Sequence, residues 1–319
     1  MRAVHQRALS FPHISSVFKR KLAAPVHKEL RKFMPRAAVL GQPIAHSMSP
    51  ILHIAGYEAL GLDDWSYTRI EANAETLPGI VHGSDEDYRG FSVTMPGKFA
   101  AFSLATEITD RARLMGSANT LVRIEGGWRA DNTDTEGVEG ALTELLGRAD
   151  SLRVRDSSSA EQRALLIGSG GTARPALWAL AQRGIKNIAL LNRTDRRAEL
   201  HELTESLGQN ITPVTYDDDI EKIAQKAEVI ISTVPSPALD GHEKALAHAP
   251  ILDVIYDPWP TPLTVHAASD GYPTVGGHRM LAYQALSQFE QFTGHEAPRE
   301  AMFEALKVYM RDKNVNKLY

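Results

Sequence analysis

The chain of 319 residues contains no cysteine, which excludes disulfides, thiolate metal sites and a cysteine nucleophile. Its twelve histidines never fall into HExxH or another close ligand pair, so the sequence offers no metal site. No apolar run approaches the roughly eighteen residues that a membrane span requires. A charge excess is missing too: the formal net charge is −4, which gives no general attraction to nucleic acid or anionic membrane. What is there, 43% hydrophobic and 23% charged residues, is a globular composition. The length allows two domains that each bury a core.

Charge is unevenly spread. Residues 1–36 carry nine Lys or Arg against one acid, Glu29. This lead lacks the continuous apolar core of a secretory signal. It is open to three readings: a transit-like segment, a nucleic-acid arm, or a solvated extension created by an upstream start codon. Composition favours the last.

After Pro35 the pattern becomes regular. Ala37–Leu40 reads as a buried strand running into "GQPIAHSMSP", with Ser49 as N-cap and Pro50 as first residue of a helix to about Leu60. Strand-like runs at Ser66–Ile70 and Gly90–Thr94 flank a helical piece around Thr76–Val81, the alternation of a parallel α/β sheet. Residues 119–132, "NTLVRIEGGWRADN", read as a hairpin at the sheet's edge. A helix over 135–146 precedes a polar linker, 147–162. From Arg163 a second alternation begins: strand "RALLI", a glycine turn, helix 172–183, strand "NIALL", helix 195–207, strands "EVIIS" and "PILDVIY". That is the order of a doubly wound nucleotide-binding domain. Helices over 277–293 and 298–310 close the chain and are expected to return to the first domain.

The glycine turn "GSGGTA" places Gly168, Gly170 and Ala173 in the G-x-G-x-x-G/A spacing, with Ser169, Gly171 and Thr172 between them. The first glycine permits the tight turn, the second lets backbone approach a pyrophosphate, and the small third residue lets helix and strand pack closely. The helix start supplies amide donors to phosphate. At the end of the next strand an NAD site expects an acid, whereas an NADP site expects a basic residue for the 2′-phosphate. Here Asn192, Arg193 and Thr194 offer donors with Arg197 one turn behind, which favours NADP. Asp195 is close enough to serve as the acid instead.

One lysine stands in an awkward place. In "SVTMPGKF" (92–99) Lys98 follows a strand and a proline where an apolar helix begins, and a helix start carries positive partial charge. A P-loop is not the explanation, because six residues rather than four separate Gly90 from Gly97 and Phe99 follows the lysine. Three other stretches, His46–Pro50, "GSANT" (116–120) and "DNTD" (131–134), concentrate hydroxyl and amide residues. Each alone is compatible with turn chemistry, but together they lie at strand ends, where α/β sheets bind ligands.

Together these segments resemble the shikimate dehydrogenase family. "GQPIAHSMSP", "SVTMPGK", "GSANT", "ADNTD", "GSGGTAR", "NRT", "DVIYDPWPTPL" and "GGHRMLAYQA" occur in the family's order from about residue 37 to the C-terminus. The wording of "SVTMPGKF" and "IYDPWPTP" is similar to that of actinobacterial members. The resemblance implies two domains: an α/β substrate-binding domain, 37–135 with 277–319, and a Rossmann-type NADP domain, 136–276, whose cleft closes during turnover. It implies that Ser47 and Ser49 hold a substrate carboxylate near Tyr256, and that Thr94, Asn119, Thr133 and Gln284 bind ring hydroxyls. Lys98 and Asp134 are implied as the catalytic pair, which gives the lysine its partner. Ser92, also assigned to the substrate, departs from the pattern, since many members have asparagine there.

The expected activity is reversible NADP-dependent reduction of 3-dehydroshikimate to shikimate by a cytoplasmic enzyme with a small-molecule substrate, no nucleic-acid or membrane partner and no metal. A homodimer is among the assemblies open to it. The rival readings are an NAD-dependent quinate/shikimate dehydrogenase and a non-catalytic NADP(H)-sensing module. Intact Lys98 and Asp134 argue against the latter.

Overall fold

The computed structural model describes residues 33–147 and 163–316. Nearly all of the expected basic extension and polar linker therefore lies outside the described residues.

The first sheet begins with β1 (Arg36–Gly41), β2 (Ser66–Glu71) and β3 (Tyr88–Val93), joined through α1 (Ser49–Ala59) and α2 (Leu77–His82). These three strands pair in parallel with β1 in the middle. After α3 (Lys98–Leu104), β4 (Glu107–Ile108) and α4 (Asp110–Met115) come β5 (Thr120–Ile124) and β6 (Gly127–Asp131). The last two form the expected hairpin. It is not the edge, however, because β4 pairs outside β6 and the strand order is β2-β1-β3-β5-β6-β4. Two residues are too few for a period-2 pattern to register, which is why the edge strand escapes a reading by alternation. Ser49 also differs from expectation: it lies inside α1, Met48 holds the N-cap position, and no side chain caps the helix.

α5 (Asp134–Leu146) leads to the second sheet, which contains β7 (Arg163–Ile167), β8 (Asn187–Leu191), β9 (Asn210–Val214), β10 (Val229–Ser232), β11 (Ile251–Asp253) and β12 (Thr274–Gly276). Its helices are α6 (Ala173–Gln182), α7 (His201–Ser206), α8 (Ile220–Gln225), α9 (Glu243–Leu246) and α10 (Pro262–Ser269). Every pair is parallel and the order is β9-β8-β7-β10-β11-β12, the doubly wound arrangement with its switch point between β7 and β10. Burial on both faces explains why β7, β10 and β11 read as nearly unbroken apolar runs. The run "PILDVIY" leaves the sheet at Asp253, and residues 254–256 become loop. The stretch 195–207 is a 3-10 turn over Arg197–Leu200 followed by α7 rather than one helix.

The chain closes with α11 (Gly277–Thr293) and α12 (Arg299–Asn316). Phe289, Phe292, Met302 and Leu306 pack with Val39, Leu52 and Tyr67, so these helices cover a face of the first sheet. The other face is covered by α2 and α3 around Leu77, Phe91 and Ala101. α5 joins the second sheet's core through Val138, Leu142 and Leu145, where Met280 of α11 also packs. Close approach of α5 and α11 depends on Gly140, where a Cβ would meet the Tyr283 ring at 2.3 Å. The two-sheet α/β fold with returning C-terminal helices is as the sequence implies. Among the described residues no helix is long and apolar enough to cross a membrane.

Candidate active site

The ends of β1 and β3, the residue before β5, the starts of α1, α3, α5 and α6, the loop after β11 and one face of α11 surround a cavity of about 490 Å³. That is the size of a small-ligand pocket. Ser47, Ser49, Ser92, Thr94, Lys98, Asn119, Asp134, Tyr256 and Gln284 all line it, and so does Thr172 of the glycine turn. Val39, Ile44 and Met280 supply apolar wall.

Lys98 is the first residue of α3 and Asp134 the first of α5. Their side chains meet with Nζ 2.5 Å from Oδ2, 20% and 9% exposed. The carboxylate suits its helix start, whereas the ammonium opposes its own; the ion pair offsets that second term. Asn119 donates from Nδ2 to Asp134 Oδ1 at 2.9 Å, and its Oδ1 accepts the Thr133 backbone N–H at 2.8 Å. That bond to a backbone donor fixes which way the amide points. Thr133 is fully buried and stands behind Asn119 and Gln284, donating to Gln284 Oε1 at 3.2 Å. "GSANT" is tied to the lysine itself, since the Ala118 N–H donates to the Lys98 carbonyl at 3.0 Å.

The two acids of "DNTD" are sorted by their surroundings. Asp131, 3% exposed, accepts from Arg111, Thr109, Gln291 and the Asn132 N–H. Burial alone would raise its carboxyl, but the Arg111 and Thr109 hydrogen bonds outweigh it and lower the group to about 2. Asp131 is a braced structural anion, while Asp134 faces the cavity.

Ser47 lies in the loop before α1 and Ser49 is the first residue of that helix. Ser47 Oγ donates to Ser49 Oγ at 3.3 Å, and the Ser47 carbonyl accepts from the Arg69 guanidinium at 2.9 Å. Tyr256 enters from the loop after β11, where burial and then Asp257 push its phenol up. That loop is held by Asp253, whose Oδ2 accepts from Thr261 at 2.8 Å and whose Oδ1 accepts the Ile255 N–H at 3.1 Å. Burial pushes the Asp253 carboxyl up to about 6 against those hydrogen bonds.

The dinucleotide fingerprint lies at the switch point. Gly168 has φ 94°, and a Cβ there would meet Thr233 Oγ1 and Val234 Cγ1, each at 2.6 Å. Gly170 and Gly171 have nothing within 4 Å of a built Cβ, which leaves room for a ligand against bare backbone at the start of α6. Ser169 and Ala173 complete the turn, with the Ala173 N–H donating to the Gly170 carbonyl at 3.0 Å. At the end of β8, Asn192 Nδ2 is buried without a hydrogen-bond partner. Beyond it Arg193 and Thr194 are exposed, and among the described residues Arg193 has no ion pair. Arg197 is gripped by Asp195, Nη2 to Oδ2 at 2.8 Å, so Asp195 is engaged as a partner to arginine. An orphaned amide, an open glycine cradle and an unpaired guanidinium fit a phosphorylated dinucleotide carrying a 2′-phosphate.

Two residues near the cavity escape the sequence reading. Gln288 also lines it, one turn beyond Gln284 on the same face of α11, an i, i+4 spacing that could have flagged it. Tyr67 sits behind Ser92, and its only sequence signal is an inward position on β2.

A doubly wound sheet with this glycine turn, set across a polar cavity that holds a lysine–aspartate pair, defines a dinucleotide-dependent oxidoreductase. The family models agree with that class: residues 39–121 match a "Shikimate dehydrogenase substrate binding domain", 152–251 a "Shikimate / quinate 5-dehydrogenase" and 277–307 a "Shikimate 5'-dehydrogenase C-terminal domain". A shikimate dehydrogenase (NADP(+)) of Methylobacterium radiotolerans is 36% identical over 269 residues, 82% of this chain and 92% of its own. The crystal structure of Mycobacterium tuberculosis shikimate dehydrogenase is 47% identical, with a TM-score of 0.77 over 86% of this chain and 99% of that one. The Thermus thermophilus enzyme, solved with NADP(H) and shikimate, is 28% identical with a TM-score of 0.69, over 86% of this chain and 99% of its own. The chain belongs to the shikimate dehydrogenase family.

Proposed function

We propose that the protein catalyses the reversible NADP-dependent reduction of 3-dehydroshikimate to shikimate. The observation that carries this reading is the convergence of Lys98, Asp134, Asn119, Ser47 and Ser49 on one cavity opposite the glycine turn. Gly168, Ser169, Gly170, Gly171, Thr172 and Ala173 would hold the pyrophosphate, and Asn192, Arg193 and Thr194 the ribose phosphate, with Arg197 kept beside them by Asp195. A nicotinamide dinucleotide held there would supply the hydride donor for reduction and the hydride acceptor for oxidation.

The chain's own residues do the rest. Ser47 and Ser49 donate to the substrate carboxylate beside Tyr256. Thr94, Asn119 and Gln284 orient the ring hydroxyls, and Thr133 fixes Asn119 from behind. Lys98 and Asp134 act as one unit that takes the proton of the reacting hydroxyl in oxidation and returns it in reduction. The apolar wall keeps bulk water from that exchange. Residues 37–135 with 277–319 serve as substrate domain and 136–276 as NADP domain, in a cytoplasmic enzyme.

The test is steady-state kinetics with shikimate and quinate against NADP and NAD. Efficient turnover with shikimate and NADP is expected. A preference for quinate with NAD would favour the rival dehydrogenase, and nucleotide binding without turnover would favour a sensing module.

A further inference from the structure

Behind the cavity wall lies a hydroxyl that the proposed chemistry does not use. Tyr67, on β2, is 4% exposed and does not line the cavity. Its ring stacks on His53 at 4.1 Å and 12°, and its hydroxyl donates to Ser92 Oγ at 2.6 Å. Ser92, which does line the cavity, donates in turn to Gln288 Oε1 at 2.7 Å.

The direction of this relay is set by the backbone. Gln288 Nε2 donates to the Asn119 carbonyl at 3.0 Å, and a carbonyl can only accept. Gln288 therefore presents Oε1 to Ser92, and Ser92 must supply the proton. The relay continues the same way: Gln288 Nε2 donates to Thr120 Oγ1 at 2.9 Å, Thr120 to Asn119 Oδ1 at 2.8 Å, and Asn119 Nδ2 to Asp134 Oδ1. The two amides are fixed in this sense by backbone groups, Gln288 by the Asn119 carbonyl and Asn119 by the Thr133 N–H. Burial pushes the Tyr67 phenol up, against hydrogen bonds with Ser92 and Ser49, so the phenol keeps the proton it donates.

A serine hydroxyl has one proton and two lone pairs. The proton is committed to Gln288 and one lone pair to Tyr67. What Ser92 can turn toward a ligand is the remaining lone pair. An asparagine at this position would offer both a donor and an acceptor.

We propose that Tyr67 is a positioning residue that acts through Ser92, holding that hydroxyl as an acceptor so that this corner of the cavity takes a ring hydroxyl and rejects a carbonyl. The proposal rests on the functional reading above, with shikimate as the ligand.

The experiment is a double-mutant cycle on the full chain, with Tyr67→Phe, Ser92→Ala and the pair, reading shikimate Kd by calorimetry alongside kcat. Phenylalanine keeps the ring and its stack on His53. Loss of the phenol should raise shikimate Kd about 5–10-fold, the worth of one buried hydrogen bond, with kcat and NADP Kd within about 2-fold. In the Ser92→Ala background the same change should add less than about 2-fold, because the route for its effect is gone. An unchanged Kd in Tyr67→Phe, or an equal loss in both backgrounds, would overturn the proposal and leave Tyr67 a packing residue. Should Tyr67→Phe not fold, Ser92→Ala alone must raise Kd at least about 5-fold, and wild-type affinity there overturns it equally. Failure of the wild-type protein to bind shikimate would refute the functional reading itself, and this proposal with it.

Discussion

Lys98 and Asp134 begin two different helices, and the two N-termini point their first side chains at each other across 2.5 Å. Asp134 thus receives the lysine ammonium on one oxygen and the Asn119 amide on the other. A pair built this way works as a unit. Asp134→Asn should lower kcat by roughly 10²–10⁴-fold, and Lys98→Ala with Asp134→Asn together should cost far less than the product of the single losses. Steady-state kinetics of the three variants checks this; multiplicative losses would show that the residues act separately.

Cofactor choice turns on the end of β8. Arg197 is engaged by Asp195, which leaves Arg193 as the guanidinium available to a 2′-phosphate. Arg193→Ala should weaken NADP about 10–100-fold, the worth of a charge-assisted hydrogen bond, and NAD by no more than about 2-fold. Titration with both cofactors is the measurement, and equal loss for both would make the arginine structural.

The turn itself is tested at Gly168. Its φ of 94° and the 2.6 Å approach to Thr233 and Val234 leave no place for a Cβ. Gly168→Ala should cost about 1–3 kcal/mol in denaturant unfolding, from backbone strain and overpacking, and should weaken NADP as the turn shifts. A variant as stable as wild type, with unchanged NADP affinity, would contradict the close approach.

Stability should depend on pH through Asp253. Its carboxyl, raised to about 6 in the fold, favours the protonated form. Its contribution is therefore fully present below the unfolded value near 4 and is lost as pH rises through about 6. Asp253→Asn mimics the protonated group, so its unfolding free energy relative to wild type should climb between about pH 4 and pH 7, by up to about 3 kcal/mol, and then level off. Asp131, lowered to about 2, acts the other way: its contribution holds above about pH 4 and is lost as pH falls through about 2. Parallel stability curves for wild type and Asp253→Asn would contradict the burial of that carboxyl.

How much of this was legible beforehand follows the range of each interaction. The glycine turn and the β7–β8 unit read directly, because turn, strand and helix are consecutive and each glycine has a local reason. Helix Gly277–Thr293 also reads well, being long and strongly patterned. β4 and β12, of two and three residues, are held by their neighbours and leave no periodic trace. The different duties of Asp131 and Asp134 are invisible in "DNTD", since they arise from Arg111 and Gln291 on one side and Lys98 on the other. Gln288 meets Ser92 across 196 positions of sequence, so only folding reveals that the short serine is backed by a glutamine and a buried tyrosine. The lysine of "SVTMPGKF" is the intermediate case: its helix start was legible and its need for an anion followed, but the identity of that anion came through family resemblance.

The most direct test of the central claim is Lys98→Ala, with kcat and shikimate Kd measured on the same preparation. If Lys98 moves the proton rather than holding the ligand, NADP reduction at saturating shikimate falls by roughly 10²–10⁴-fold while Kd stays within about 3-fold. Turnover near that of wild type, or a loss confined to Kd with kcat spared, would contradict the assignment of the Lys98–Asp134 pair to the chemistry.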